Sequence, residues 1–372
     1  MSKEVLFFSR FALNENSGGG CRREAQLAEV LHPLDYKFIS WRDSKPWFKN
    51  RMSKRQHLLF QLEKRFHTYR KYWDDFYIDH MFKMKGVTRD WKKNLESNNH
   101  IKLAIVDDPL YFYPLVEYLY KRNIPMVGLS QNIESLSYSQ LQGPRQLELF
   151  NKEIKLFKKC RLVVTISREE TFLLKNFNIP TYYLPYYPVQ SIKRRMLNIR
   201  EKRNKSEKKG FLVIGTAWNK VTLEGMKGLI DFWTGSLNKF RQEKLLVAGF
   251  GTSRLLKKVK SENIEYLGEI SNQKLDEIFT GIKAMICYQE YGSGALTKIA
   301  EMLIAGVPVL ANTHAARSYH EFREVIEFSG FADLERAVLE LESLKKPLTR
   351  HSETIIKSSH KELVDKIRAL NI

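Results

Sequence analysis

Cysteine is scarce in this chain: Cys21, Cys160 and Cys287 are the only three in 372 residues. Their separations lack metal-ligand spacing and their number is odd, so a reduced, cytoplasmic setting is favoured. Long apolar runs are missing too. None approaches the roughly 20 residues that cross a bilayer, so no spanning helix is expected. The opening Met-Ser-Lys-Glu-Val-Leu-Phe-Phe-Ser-Arg enters a strand too early for a cleavable leader. Acidic residues are the third shortage, 42 Asp and Glu against 62 Lys and Arg, which leaves a formal net charge of +20. A field of that sign draws nucleic acid, anionic headgroups or anionic small molecules. No recognition module for nucleic acid accompanies it, and no such partner is expected.

The residues that are present suit two folded domains, since 372 residues is long for one core. Strands are expected at 4–9, 35–40, 101–107, 125–130, 161–166 and 181–185, with helices at about 21–31, 110–122, 145–160 and 168–177. A second alternating series runs from a strand at 211–215 through 244–249 and 264–267 to a strand ending at Cys287. Alternation of this kind argues for parallel sheets covered on both faces, an α/β protein. The first domain is placed at 1–188, a polar basic linker at 189–209, and the second domain at 210–358. For a last helix at 359–372 a return to the first domain is an open option. Segment 42–100 interrupts the first domain with fifteen Lys or Arg against seven Asp or Glu. Leu58, Leu59, Leu62, Phe66, Tyr69, Trp73 and Phe76 follow helical spacing there, a basic aromatic helical insertion. It reads either as a helical pair with solvated charges or as a surface resting on an anionic membrane.

The most informative segment is 287–312. Ala284 to Cys287 form a short apolar strand, Gly292-Ser293-Gly294 a loop, and Leu296, Ile299, Ala300 and Leu303 one helical stripe. Gly306 suits the left-handed position after that helix, and Pro308 stops it resuming. Lys298 and Glu301 lie on the opposite side. A cation and a carboxylate beside a glycine loop at a helix start are the parts that hold a phosphorylated sugar.

This segment resembles the donor-binding signature of the retaining glycosyltransferases of family 4, also called group 1. The resemblance implies the GT-B fold, two Rossmann-like domains whose parallel sheets face an interdomain cleft. It implies that Glu301 binds the ribose hydroxyls of a nucleotide-sugar donor. Ser293 stands where that family usually has a glutamate, followed by Gly294, and Lys298 is the phosphate candidate. Gly19 and Gly20, after Gly18, resemble the family's first-domain glycine loop. Lys227, with Lys220 as its rival, resembles a diphosphate-gripping lysine, against the plain alternative of an exposed side chain. Asp107 takes the place of a histidine that approaches the sugar ring. Glu134 follows Asn132 in a segment with Gln131 in place of histidine. Asp107 and Glu134 are thus the catalytic candidates, although either could simply cap a helix. His314 is a weaker candidate.

Asp107 and Asp108 are adjacent, and neighbours on a strand end point to opposite sides. No metal site and no cofactor is therefore expected, the nucleotide sugar being a substrate. The partners implied are that donor, a glycan or lipid-linked acceptor, and an anionic membrane surface at the inner face of the cell membrane. The setting implied is surface polysaccharide or glycolipid biosynthesis. A nucleotide-sugar epimerase of the same fold and an inactive scaffolding member are the alternatives.

Overall fold

The computed structural model describes residues 4–11, 13, 18–40, 95, 100–137, 144–236, 240, 242–255, 261–341 and 351–370. The insertion expected within 42–100 lies outside the described residues, apart from Leu95 and His100. The chain divides into two compact units, Met1–Pro185 with Ile355–Ile372, and Tyr186–Thr354.

The first unit is built on six parallel strands in the order β2-β1-β3-β4-β5-β6. They are β1 (Glu4–Ser9), β2 (Tyr36–Ser40), β3 (Ile101–Asp107), β4 (Met126–Ser130), β5 (Leu162–Thr165) and β6 (Thr181–Tyr183). Both faces of β1 are apolar, as a strand covered by helices on two sides requires. Leu6 and Phe8 join one core with Leu115 and Phe157, while Val5 and Phe7 join another with Leu27 and Leu31. The last helix, His351–Arg368, places Leu363 and Ile367 in that second core. Their four-residue spacing puts both on one helical face.

The second unit repeats the plan in the order β12-β11-β10-β7-β8-β9. Its strands are β7 (Phe211–Ile214), β8 (Leu245–Ala248), β9 (Ile264–Gly268), β10 (Ala284–Cys287), β11 (Val309–Asn312) and β12 (Val325–Phe328). In each sheet the winding reverses beside the first strand. β1 pairs with β2 on one side and β3 on the other, and β7 lies between β8 and β10. The carboxyl ends of strands at such a reversal form a crevice where ligands bind in open α/β sheets.

The expectation of a linker at 189–209 is corrected. Gln190–Arg203 is a helix of the second unit. Ile192, Met196 and Ile199 recur at i, i+4 and i+7 and are buried. Arg203 is buried behind them and reaches the last carbonyls of two neighbouring helices. Its guanidinium donates to Ile282 O over 2.9 Å, to Gly306 O over 3.2 Å, and to Phe279 O. Burial lowers its pKa to about 10, so it stays charged at neutral pH. The basic stretch is structural because its one inward arginine supplies donors that helix ends lack.

Candidate active site

In the first unit, three strand ends bring polar groups together. Arg10 follows β1, Asp107 ends β3, and Gln131 to Glu134 follow β4. Arg10 Nη1 donates to Asp108 Oδ2 over 2.9 Å, and Nη2 approaches Glu134 Oε1 at 3.4 Å. The backbone N–H of Arg10 donates to Asp107 Oδ2 over 3.3 Å. Gln131 Nε2 bridges Asp107 Oδ1 at 3.0 Å and Glu24 Oε2 at 3.2 Å. Asn132 Nδ2 donates to Glu134 Oε1 over 3.3 Å. Glu153 accepts from the N–H groups of Glu134 and Ser135, 2.9 and 3.0 Å away, and so fixes the turn that carries Glu134.

The expectation that Asp107 and Asp108 point apart is corrected. β3 ends at Asp107, and Asp108 takes a left-handed φ of 51°. That turn brings both carboxyls to Arg10, one at its backbone and one at its guanidinium. The left-handed region is uncommon outside glycine, though aspartate tolerates it better than most. Asp108 Oδ1 accepts from Tyr111 N over 3.1 Å, so Asp108 also caps the following turn.

Asp107, Asp108, Glu24 and Glu134 are all buried. Removal from water pushes Asp107 up to about 6, against the opposing pull of Arg10 and the Gln131 amide. Burial, then the charge of Glu134, lifts Asp108 well above the carboxylate range. Burial and the neighbouring Asp107 do the same to Glu24. A carboxyl that titrates near neutrality at a strand end can exchange a proton with a bound hydroxyl. Among the described residues, no three His, Cys, Asp or Glu side chains are arranged to hold a metal ion.

Gly19 and Gly20 occupy the first turn of the helix Gly19–Leu31, capped by Gly18. A Cβ on Gly20 would meet the Phe11 ring at 2.5 Å. The Arg10 guanidinium lies over the same ring, its central carbon 4.7 Å from the Phe11 centroid. Gly20 is thus accounted for by packing of the loop that carries Arg10.

In the second unit, Lys298 sits where β7 and β10 end. Its Nζ donates to Ile214 O over 2.7 Å. It lines a small hollow with Ile214, Thr222, Met226, Tyr288 and Gln289. The helix Lys220–Gly235 begins at this edge, its Asn219 cap accepting from Thr222 N. Gly249 allows β8's exit to pass, since a Cβ there would lie 2.1 Å from Gly215 O and φ is +121°. Glu301 is buried and accepts from the Tyr186 hydroxyl over 2.8 Å.

Lys227 stands apart from this group. It pairs with Glu224 at 2.9 Å, one turn away on the helix surface, and does not line the hollow. Lys220 is exposed at the first helical position. Ser293 and Gly294 form the loop before the helix Thr297–Ile304, with Gly292 and Gly294 at φ +112° and +71°. His314 Nε2 is 3.0 Å from Gly292 O, and burial lowers its pKa.

Three site residues escaped the sequence reading. Arg10 directly follows an apolar strand, a position that could have marked it. Glu24 sits among Arg22, Arg23 and Gln26 like any solvated helix residue, and nothing local signals its burial. Arg317 follows β11 in Thr-His-Ala-Ala-Arg, and only the fold brings it to the glycine loop.

No protein-family model matches the chain, and no curated protein matches it in sequence. Solved structures do match it in fold. Sucrose-phosphate synthase from Thermosynechococcus elongatus superposes with a TM-score of 0.65 at 12% identity, over 99% of each chain. Anabaena Alr3699/HepE in complex with UDP and glucose gives 0.60 at 11%, over 98% of this chain and 99% of that one. An α,α-trehalose 6-phosphate synthase from Burkholderia multivorans gives 0.54 at 11%, over 99% and 95%. Two parallel six-stranded sheets with their helices are the GT-B fold of these proteins.

Proposed function

We propose that this protein is a glycosyltransferase that moves a sugar from a nucleotide-sugar donor to a glycan or lipid-linked acceptor. One observation carries the reading: Lys298 lines a hollow at the winding reversal of the second sheet, on the helix that follows the glycine loop and also carries Glu301, in a chain whose whole length follows the fold of nucleotide-sugar enzymes. Negative charge grows on the departing nucleoside diphosphate, so a fixed cation and aimed N–H groups there lower the barrier. Lys298 supplies the cation, and Glu301, oriented by Tyr186, faces the ribose hydroxyls. Asp107, with a pKa of about 6, takes or orients the acceptor proton, while Arg10 and Glu134 order the acceptor's hydroxyls. Retention of anomeric configuration and independence from metal belong to the same proposal. So does a role in surface polysaccharide or glycolipid synthesis at the inner membrane face. No helix among the described residues is long and apolar enough to cross a membrane, and the net charge of +20 suits an anionic surface.

The test is a nucleotide-release screen across donor sugars, with and without lipid-linked acceptors and with EDTA present. Acceptor-dependent release is expected, falling about 100-fold in Lys298→Ala, the size seen when one charge-stabilising group is removed. Glu301→Gln should raise the donor KM. Release that ignores both changes would sink the site assignment. Donor turnover without any acceptor would point to the epimerase instead. Co-sedimentation with anionic but not neutral vesicles, reversed by salt, checks the membrane role.

A further inference from the structure

We propose that Glu24 is a positioning residue for Asp107: as a buried neutral acid, it fixes which end of the Gln131 amide meets the Asp107 carboxyl. This rests on the role given to Asp107 above and deepens it. Glu24 lies on the helix Gly19–Leu31 and is wholly buried. Gln131 Nε2 donates to its Oε2 over 3.2 Å and to Asp107 Oδ1 over 3.0 Å, so one amide NH2 group joins the two carboxyls. The other oxygen, Oε1, is buried with no hydrogen-bond partner. A carboxylate sealed from water needs donors for both oxygens, and this one has a donor for Oε2 alone.

The groups around Glu24 leave that oxygen a place for a proton. Ser9, at the end of β1, lies beside the carboxyl. Its hydroxyl proton goes to Phe11 O over 3.0 Å. Its oxygen accepts from Phe11 N over 2.9 Å and has a second lone pair to offer. Arg23, on the same helix as Glu24, turns its guanidinium to Leu184 O and Pro185 O, 2.8 and 3.2 Å away. Arg10 directs its guanidinium to Asp108 and Glu134. Tyr36 of β2 is within electrostatic reach of Glu24, and its hydroxyl donates to Ala28 O over 2.9 Å. Asp107 adds a like charge, and two negative charges side by side in a dry site are disfavoured. With the proton on Oε1, facing Ser9, Oε2 is a carbonyl-type oxygen that accepts from Gln131 Nε2. The second N–H of that amide then points at Asp107 and favours its ionised form, the base. Without Glu24 the amide can turn and offer its oxygen to Asp107, which would hold Asp107 protonated.

The experiment compares wild type, Glu24→Gln, Glu24→Ala and Asp107→Asn, each as the full chain. Infrared difference spectra of wild type minus each variant are recorded from pH 5 to pH 8, and acceptor-dependent nucleotide release gives kcat and KM over the same range. A protonated-carboxyl C=O band should persist at pH 8 in wild type and be missing in Glu24→Gln. The band missing in Asp107→Asn should fade through about pH 6. Glu24→Ala should lose about tenfold in kcat with donor KM unmoved, part of what a general base contributes. Glu24→Gln keeps the neutral shape, its NH2 group replacing the Oε1 proton, so it should restore most of that loss and keep the acid limb of kcat/KM in place. A Glu24→Gln spectrum that lacks no band, or a limb moved down by about one unit or more, means a charged Glu24 and overturns the proposal. A folded Glu24→Ala with wild-type kcat overturns it too, and does so without touching the donor reading when Asp107→Asn is impaired. If Glu24→Ala does not fold, Gln131→Leu cuts the same link from the other end, with the same tenfold loss expected and an unchanged kcat overturning the proposal. Full acceptor turnover in Asp107→Asn, or a wild type that turns over no donor, takes down the reading above and this proposal together.

Discussion

Asp107 is an acid whose two oxygens are both held, by the Gln131 amide and the Arg10 N–H, yet which titrates near 6. Burial outweighs both bonds. A carboxyl raised in the folded state binds its proton more tightly there than in the unfolded chain. Its contribution is therefore most favourable below the unfolded value near 4 and is lost as pH rises through about 6. The difference corresponds to about 3 kcal/mol at full ionisation. Asp107→Asn removes that dependence. The melting temperature of the variant minus that of wild type should grow more positive from pH 4 to pH 7, and a flat difference would refute the buried-acid account. Activity should move the other way, with wild-type kcat/KM rising through pH 6 and the variant losing that rise. Asp107 was legible in the sequence because it closes an apolar strand before Asp108-Pro109. Its chemistry was not, since Arg10 and Glu24 lie about a hundred residues away and only the sheet order joins them.

At the scale of an element, the helix Gln190–Arg203 shows where reading by composition fails. Nine Lys or Arg against two Asp or Glu over 193–209 look like solvated chain. The apolar residues that decide the matter, Ile192, Met196 and Ile199, are few but correctly spaced, and they bury the side of the helix that ends in Arg203. β12 escaped for a related reason: Val325 to Phe328 is four residues long and contains Glu327. β10 and β7, short but wholly apolar or nearly so, were plain by contrast. Arg203→Met keeps the length of the side chain and removes every donor. The carbonyls of Ile282 and Gly306 then lose a partner inside the unit, at a cost of about 2–4 kcal/mol. Urea unfolding followed by tryptophan fluorescence should show it, and a loss under about 0.5 kcal/mol would mean that these carbonyls find other donors.

Across the whole molecule, the chain leaves its first unit at Pro185 and re-enters it at Ile355. The first unit is therefore completed by residues that follow the whole of the second unit in sequence. The returning helix His351–Arg368 buries Leu363, Val364 and Ile367. Tyr182 in β6 donates to Ser359 O over 2.7 Å, which ties the helix to the sheet's edge strand. Three buried aliphatic side chains contribute about 2 kcal/mol each, and a domain's whole margin is of order 5–15 kcal/mol. A chain stopped before His351 should keep the second unit's melting transition where it was. The first unit should melt at least about 10 °C lower or bind a hydrophobic dye already at room temperature. Calorimetry resolves the two cases, because the second unit's core around Trp233 and Phe240 contains no residue of the missing helix. If both transitions stay in place, the returning helix is ornament rather than part of the first unit's core, and Leu363 and Ile367 contribute far less than their burial implies.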